Sequence, residues 1–333
     1  MRYLIFLIAA ALLLSEAALR VFDPLGASYL FEMHRYTRMV QSDPRFAYIQ
    51  RPHLHETFQG VEVTTNGEGL RGPEFALSKP PGTFRVLMLG DSVVFGWGVE
   101  YPQTFASLLQ ASWGRQGVDA EVISAAACSW NTRTEYEFLK AKALAYQPDL
   151  VVLVIVDNDT EVKREGYTEI AREKPEKDRL RELWEDLQRN LFRHSRLAAN
   201  VRLVLERHRG DPGRPSEIER SPGWQDARLA LDGIVALCRE HGIDLVAYLF
   251  HSDQNPSRVG SLPLYEAHLR DLGVPTFSMP DALFSANGAF RNSPTDPHPN
   301  ARGHALIAAI MERDLEPRIA RRRRRMQDAV AAP

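Results

Sequence analysis

Cysteine is scarce in this sequence, with only Cys128 and Cys238 among 333 residues. Two thiols so far apart, in unlike surroundings, exclude a disulfide framework and leave the redox compartment open. Charge of one sign is lacking too. The formal net charge is −2, so nothing global points to nucleic acid, and the chain carries no internal repeat. The His, Asp and Glu residues show no tight metal-ligand spacing, which predicts a site with no metal and no cofactor. What is present is ordinary globular material, 44% hydrophobic and 25% charged. That suffices for one large domain with an insertion, or for two small domains.

The first 22 residues differ from the rest. Met1-Arg2 leads into an apolar run over residues 3–14, followed by Ser15-Glu16-Ala17-Ala18-Leu19-Arg20. A short basic start and roughly a dozen apolar residues fit a secretory signal, with Ser15 and Ala17 at the small positions of a cleavage site. The run is short for a full span, which needs about 20 apolar residues. With Glu16 and Arg20 at the interface, residues 1–22 serve equally as an uncleaved anchor. Either way the expectation is an exported protein, periplasmic or membrane-anchored with its domain outside the cytoplasm.

Residues 23–82 are rich in Pro, Gly and aromatics, with turn signals at Asn66-Gly67-Glu68-Gly69 and Arg71-Gly72-Pro73. They read as a β- and loop-rich extension. From 83 to 315 the pattern alternates. Near-continuous apolar runs at 86–89, 122–125, 150–156, 245–250 and 275–279 suit strands buried on both faces of a parallel sheet. Helical stretches at 105–115, 135–145, 227–241, 262–272 and 301–312 lie between and after them, the last with Asn300 as its N-cap. The pattern predicts a three-layer α/β domain. Residues 163–224 interrupt it as a charged helical insertion, with Leu180, Leu183, Trp184, Leu187 and Leu191 at helical spacing. Residues 316–333, with arginine at each of positions 321–325, read as a basic tail, solvated or in contact with anionic lipid or polysaccharide.

Three segments carry chemistry. Ser92 follows the first sheet strand directly, at the edge where open α/β sheets bind ligands. A serine hydroxyl is a weak nucleophile and needs a base within hydrogen-bond reach. Phosphate binding is the rival reading of this turn, but Gly90, Gly96 and Gly98 do not form G-x-G-x-x-G and no Gly-Lys-Ser/Thr follows. His298, in Asp296-Pro297-His298-Pro299-Asn300, precedes a proline and sits on a constrained loop just before the last helix. Asn158, in Asp157-Asn158-Asp159, ends another strand and offers a neutral donor suited to an oxyanion. His304, His251 and Cys128 are weaker candidates: a helix-face residue, a pocket-lining residue and a small buried thiol.

Taken together these segments resemble the SGNH/GDSL hydrolases. Leu89-Gly90-Asp91-Ser92 is similar to that family's first block, Asp157-Asn158-Asp159 to the end of its G-x-N-D block, and Asp296 to Asn300 with Gly303-His304 to its terminal block. The resemblance implies a flavodoxin-like fold with a central parallel sheet of about five strands. It implies Ser92 as nucleophile, His298 as base, and an oxyanion hole from the Ser92 amide, the Ala126 amide and the Asn158 side chain. Ala126 and Val156 stand where the family has glycines. The family's acid lies three residues before the histidine, where this chain has Thr295. Asp296, two before, is favoured because extended residues two apart share a face; Thr295 or a backbone carbonyl is the alternative. The implied activity is hydrolysis of acylated small molecules or polysaccharide, without nucleic acid as partner. An O-acyltransferase with the same triad, or a carbohydrate-binding scaffold on a decayed fold, are the other readings.

Overall fold

The computed structural model describes residues 2–23, 26–157, 159–160, 195–206, 215–251, 260–280, 283, 288–293 and 296–331. Its centre is a five-stranded sheet of β5 (Phe84–Gly90), β6 (Ala120–Ala126), β7 (Leu150–Val156), β8 (Asp244–Phe250) and β9 (Thr276–Ser278). The spatial order is β6-β5-β7-β8-β9 and every pairing is parallel. All seven residues of β5 and all seven of β7 are buried, as the unbroken apolar runs require of strands covered on both faces. The three-layer α/β arrangement expected from the alternating pattern is therefore the one found.

Helices cover the sheet: α3 (Ser92–Phe95), α4 (Phe105–Arg115), α5 (Thr132–Ala141), α8 (Pro222–Glu240), α9 (Leu262–Asp271) and α10 (Ala301–Ala331). Their starts follow side-chain chemistry. Asn131 and Ser221 each accept from the backbone amide three residues on, and Asn300 Oδ1 accepts from Gly303 N at 3.1 Å. α10 does not stop near residue 312. It runs through Pro317 and the arginines of the expected tail. The proline removes one backbone donor but lies at an exposed position, where the helix tolerates it.

The extension differs from a pure β-and-loop reading. Helix α1 (Arg2–Phe22) is followed by α2 (Ser28–Tyr36), and then by hairpins β1 (Val40–Asp43) with β2 (Ala47–Gln50) and β3 (His55–Phe58) with β4 (Val61–Thr64). Tyr36, Phe46, Tyr48, Ile49, Phe58 and Val63 join the main core, so the extension is part of the domain's packing. Arg71 fastens it. Its guanidinium, 2% exposed, donates to the carbonyls of Phe95, Gly96, Glu62 and Val99 at 2.6–3.1 Å. Of the insertion, α6 (Arg196–Glu206) and the single turn α7 (Pro215–Glu219) are described; the helical stretch expected over Leu180 to Leu191 lies outside the described residues.

Candidate active site

Strand β5 delivers Ser92 to the carboxyl edge of the sheet. Gly90 makes the turn possible: a Cβ there would lie 2.5 Å from Val94 Cγ2 and 3.2 Å from the Val154 carbonyl, so only glycine lets α3 fold back this closely. Asp91 caps α3, its Oδ1 accepting from Val93 N at 2.9 Å. Its other oxygen lies 3.3 Å from Ser92 Oγ, long for a hydroxyl bond. His298 Nε2 is 2.7 Å from the same hydroxyl, within the usual range. The shorter contact wins, and Ser92 pairs with His298.

The other ring nitrogen, His298 Nδ1, lies 2.6 Å from Asp296 Oδ1. That oxygen also accepts from the His298 backbone amide at 3.1 Å. The carboxylate thus folds over its own loop and meets the ring from two positions back. Thr295 lies outside the described residues. Asp296 Oδ2 accepts from Gln59 Nε2 at 2.9 Å and from Asn292 Nδ2 at 3.2 Å. Burial would raise this carboxyl, but the charge of His298, its ring hydrogen bond, the Gln59 amide and the His298 amide outweigh burial and hold it below the ordinary aspartate value. An ionised Asp296 keeps the proton on Nδ1 and leaves Nε2 free to accept from Ser92.

Gln59 carries no signal in the sequence. It sits between β3 and β4, 237 positions from Asp296, and only the docking of the extension brings it here. Tyr29 of α2 enters the same way, its ring 5.5 Å from that of His298, with Trp97 at 6.4 Å on another side. Gly98 is required by this packing, because a Cβ would lie 2.1 Å from Asn292 Nδ2. A cavity of about 500 Å³ opens beside the carboxylate, lined by Tyr29, Glu32, Gln59, Arg196, Asn292 and Asp296 among others.

The remaining predicted residues fall as follows. Ala126 is the last residue of β6, paired with Gly90 and fully buried. The glycine-like conformation falls on Ser129 instead, with φ at 64°, in a turn closed by Trp130 N donating to Ala127 O at 3.1 Å. Ser129 is also the one partly exposed residue of that turn. Val156 is an ordinary strand residue paired with Phe250, so no glycine is needed there. Asn158 lies outside the described residues; next to it, Asp159 Oδ2 accepts from Val156 N at 3.0 Å. Burial pushes the Cys128 thiol well above its usual value, which keeps it protonated and poorly nucleophilic. His304 is buried and accepts from Phe105 N at 3.2 Å. Burial, with Arg71 and His298 nearby, lowers it to about 3, so it stays neutral. His251 follows β8, at the same sheet edge.

Beneath the site Glu135 is fully buried, and neither carboxylate oxygen has a hydrogen-bond partner among the described residues. Burial first, and the charge of Asp91 second, raise it well above an ordinary glutamate. The folded state therefore binds the proton more tightly than the unfolded one, so stability is lost as pH rises from about 4.3, the unfolded value. Glu135→Gln, which mimics the neutral acid, should raise the Tm by an amount that grows between pH 5 and pH 8. A Tm difference independent of pH would show that the carboxyl is not held neutral.

A family model described as the GDSL-like lipase/acylhydrolase family matches residues 88–306. The chain belongs to that family. It is a hydrolase acting on ester bonds. Among solved structures this GDSL-like chain is similar to the psychrotrophic esterase EstA from Pseudoalteromonas sp., at 12% identity and TM-score 0.43 over 71% of this chain and 98% of that one. It is also similar to the lipase/acylhydrolase from Enterococcus faecalis, at 13% and 0.42 over 71% and 96%. A third is a two-domain esterase active on acetylated mannans, at 14% and 0.43 over 71% and 49%. No curated protein matches it.

Proposed function

We propose that this hydrolase cleaves O-acyl esters by two-step acyl transfer through Ser92, His298 and Asp296, on envelope or extracellular glycans or on small esters. The observation that carries this reading is the continuous relay of Ser92 Oγ, His298 Nε2, His298 Nδ1 and Asp296 Oδ1, with links of 2.7 and 2.6 Å. Ser92 Oγ attacks the ester carbonyl as its proton passes to His298 Nε2. The resulting imidazolium then gives that proton to the departing alcohol oxygen, leaving an acyl group on Ser92. Water attacks the acyl carbonyl with His298 again as base, and the acyl–Oγ bond breaks as His298 returns that proton to Ser92 Oγ, releasing the carboxylic acid. The oxyanion formed in each half is to be held by the Ser92 amide, an amide of the stretch from Ala126 to Ser129, and the Asn158 side chain. Within that stretch the part-exposed Ser129 is better placed to meet a ligand than the fully buried Ala126.

A relay with every member in hydrogen-bond range argues against a binding scaffold on a decayed fold, since a scaffold has no need of it. A fluorophosphonate should label the purified protein, with the adduct mapping to Ser92 by peptide mass. The same preparation should turn over chromogenic esters, and Ser92→Ala should not. Labelling that survives Ser92→Ala would overturn the assignment of the nucleophile.

A further inference from the structure

No residue of helix α1 is buried. Over its first fourteen residues the large apolar side chains stand in the open: Tyr3, Phe6, Leu13 and Leu14 are each more than two-thirds exposed. Twenty-one residues at about 1.5 Å each reach about 31 Å, the thickness of a bilayer's hydrocarbon core. By length and apolarity alone a cleaved leader would look the same.

Glu16 separates the two cases. It interrupts the apolar face and points at the insertion. One of its carboxylate oxygens accepts from Arg196 N at 2.9 Å; the other accepts from Leu197 N at 2.9 Å and from Ser195 Oγ at 3.0 Å. Those amides are the first of α6, which have no partner inside their own helix. A carboxylate at that end also complements the helix dipole. Arg20, one turn on, holds Glu16 from its own helix at 2.9 Å. The half-buried residues of α1 after Ala10 are Glu16 and Leu19, three apart and so on one face. The docking continues inward. Arg196 donates to Ser28 Oγ at 3.0 Å and lies 3.9 Å over the Phe31 ring, both in or beside the α2 segment that brings Tyr29 to His298.

We infer that α1 is retained in the mature protein as a bilayer anchor, with Glu16 latching its outer end to α6. Cleavage after Ala17, the site the small residues would offer, would remove the carboxylate and leave the α6 amides uncapped. A segment destined for removal has no reason to carry the cap of a helix in the folded domain. The lipid bilayer is the occupant that fits the open face, because the exposed side chains from Tyr3 to Leu14 are uncharged and surround the helix. The catalytic edge of the sheet would then be held close to the membrane surface.

The test uses the full chain with a C-terminal tag, expressed in a bacterium and recovered from its membranes. Intact mass should show Glu16 still present, and the protein should stay in the membrane fraction through an alkaline wash. A mature N-terminus at Ala18, or release by that wash, would overturn the inference whatever the esterase activity. Glu16→Ala should remain membrane-bound but be cut by trypsin after Arg196 several-fold faster than wild type, with Glu16→Gln in between. Equal cutting rates in all three would remove the latch.

Discussion

Replacing Ser92 by alanine should lower kcat by about 10⁶, and Asp296→Asn by about 10⁴, with the melting temperature of each protein close to wild type. The double variant should be no worse than Ser92→Ala alone, because the relay acts as one unit and its parts do not add. The physical reason lies in the ring tautomer. Asp296 accepts from His298 Nδ1 at 2.6 Å and stays ionised, so Nε2 faces Ser92 as an acceptor. An amide at position 296 can turn its NH₂ toward the ring. Nδ1 would then accept, Nε2 would carry the proton, and Ser92 would have no base. The rest of the loop has other supports in place: Asn292 Nδ2 donates to Trp97 O at 3.0 Å, and Asn300 to the carbonyls of Ala289 and Arg291. The fold should therefore survive, which makes kcat the readout. Asp296→Asn activity within tenfold of wild type would move the role of the acid to another group.

How much of this was legible depends on how far apart the contributing residues lie. The sheet was, because strands buried on both faces must be apolar throughout, and 150–156 contains nothing else. The meeting of Ser92 with His298 was, because each follows or precedes an element whose end the sequence marks. The acid we propose, Asp296, was ambiguous at one residue's resolution; its side chain bonds its own loop amide at His298, a contact that spacing does not reveal. Helix α2 was missed because its nine residues are aromatic-rich and its N-cap position is Ala27, which offers no side-chain acceptor. The continuation of α10 was missed because Pro317 reads as a stop. Gln59 and Tyr29 were out of reach for a different reason: their role exists only after the extension has docked.

Arg71→Leu should test that docking most severely, lowering the stability by about 3–5 kcal/mol, a large share of the 5–15 kcal/mol typical of a domain. Four carbonyls, those of Glu62, Phe95, Gly96 and Val99, each accept a hydrogen bond from this one guanidinium. Burial lowers Arg71 to about 10, still well above neutrality, so the bonds are made by a charged donor and are individually stronger than neutral ones. A leucine fills part of the volume and satisfies none of the carbonyls. Arg71→Lys should recover little, since one ammonium lacks the planar fork that spans two pairs of acceptors. The consequence extends to chemistry. Glu62 belongs to β4, whose hairpin partner β3 leads into Gln59, and Phe95 to Val99 is the segment that follows Ser92. Loosening Arg71 therefore frees both the support of Asp296 and the turn behind Ser92. Urea titration should show the midpoint falling, and kcat should drop at temperatures where the variant is still folded. A midpoint unchanged from wild type would mean that the extension docks through its apolar contacts alone.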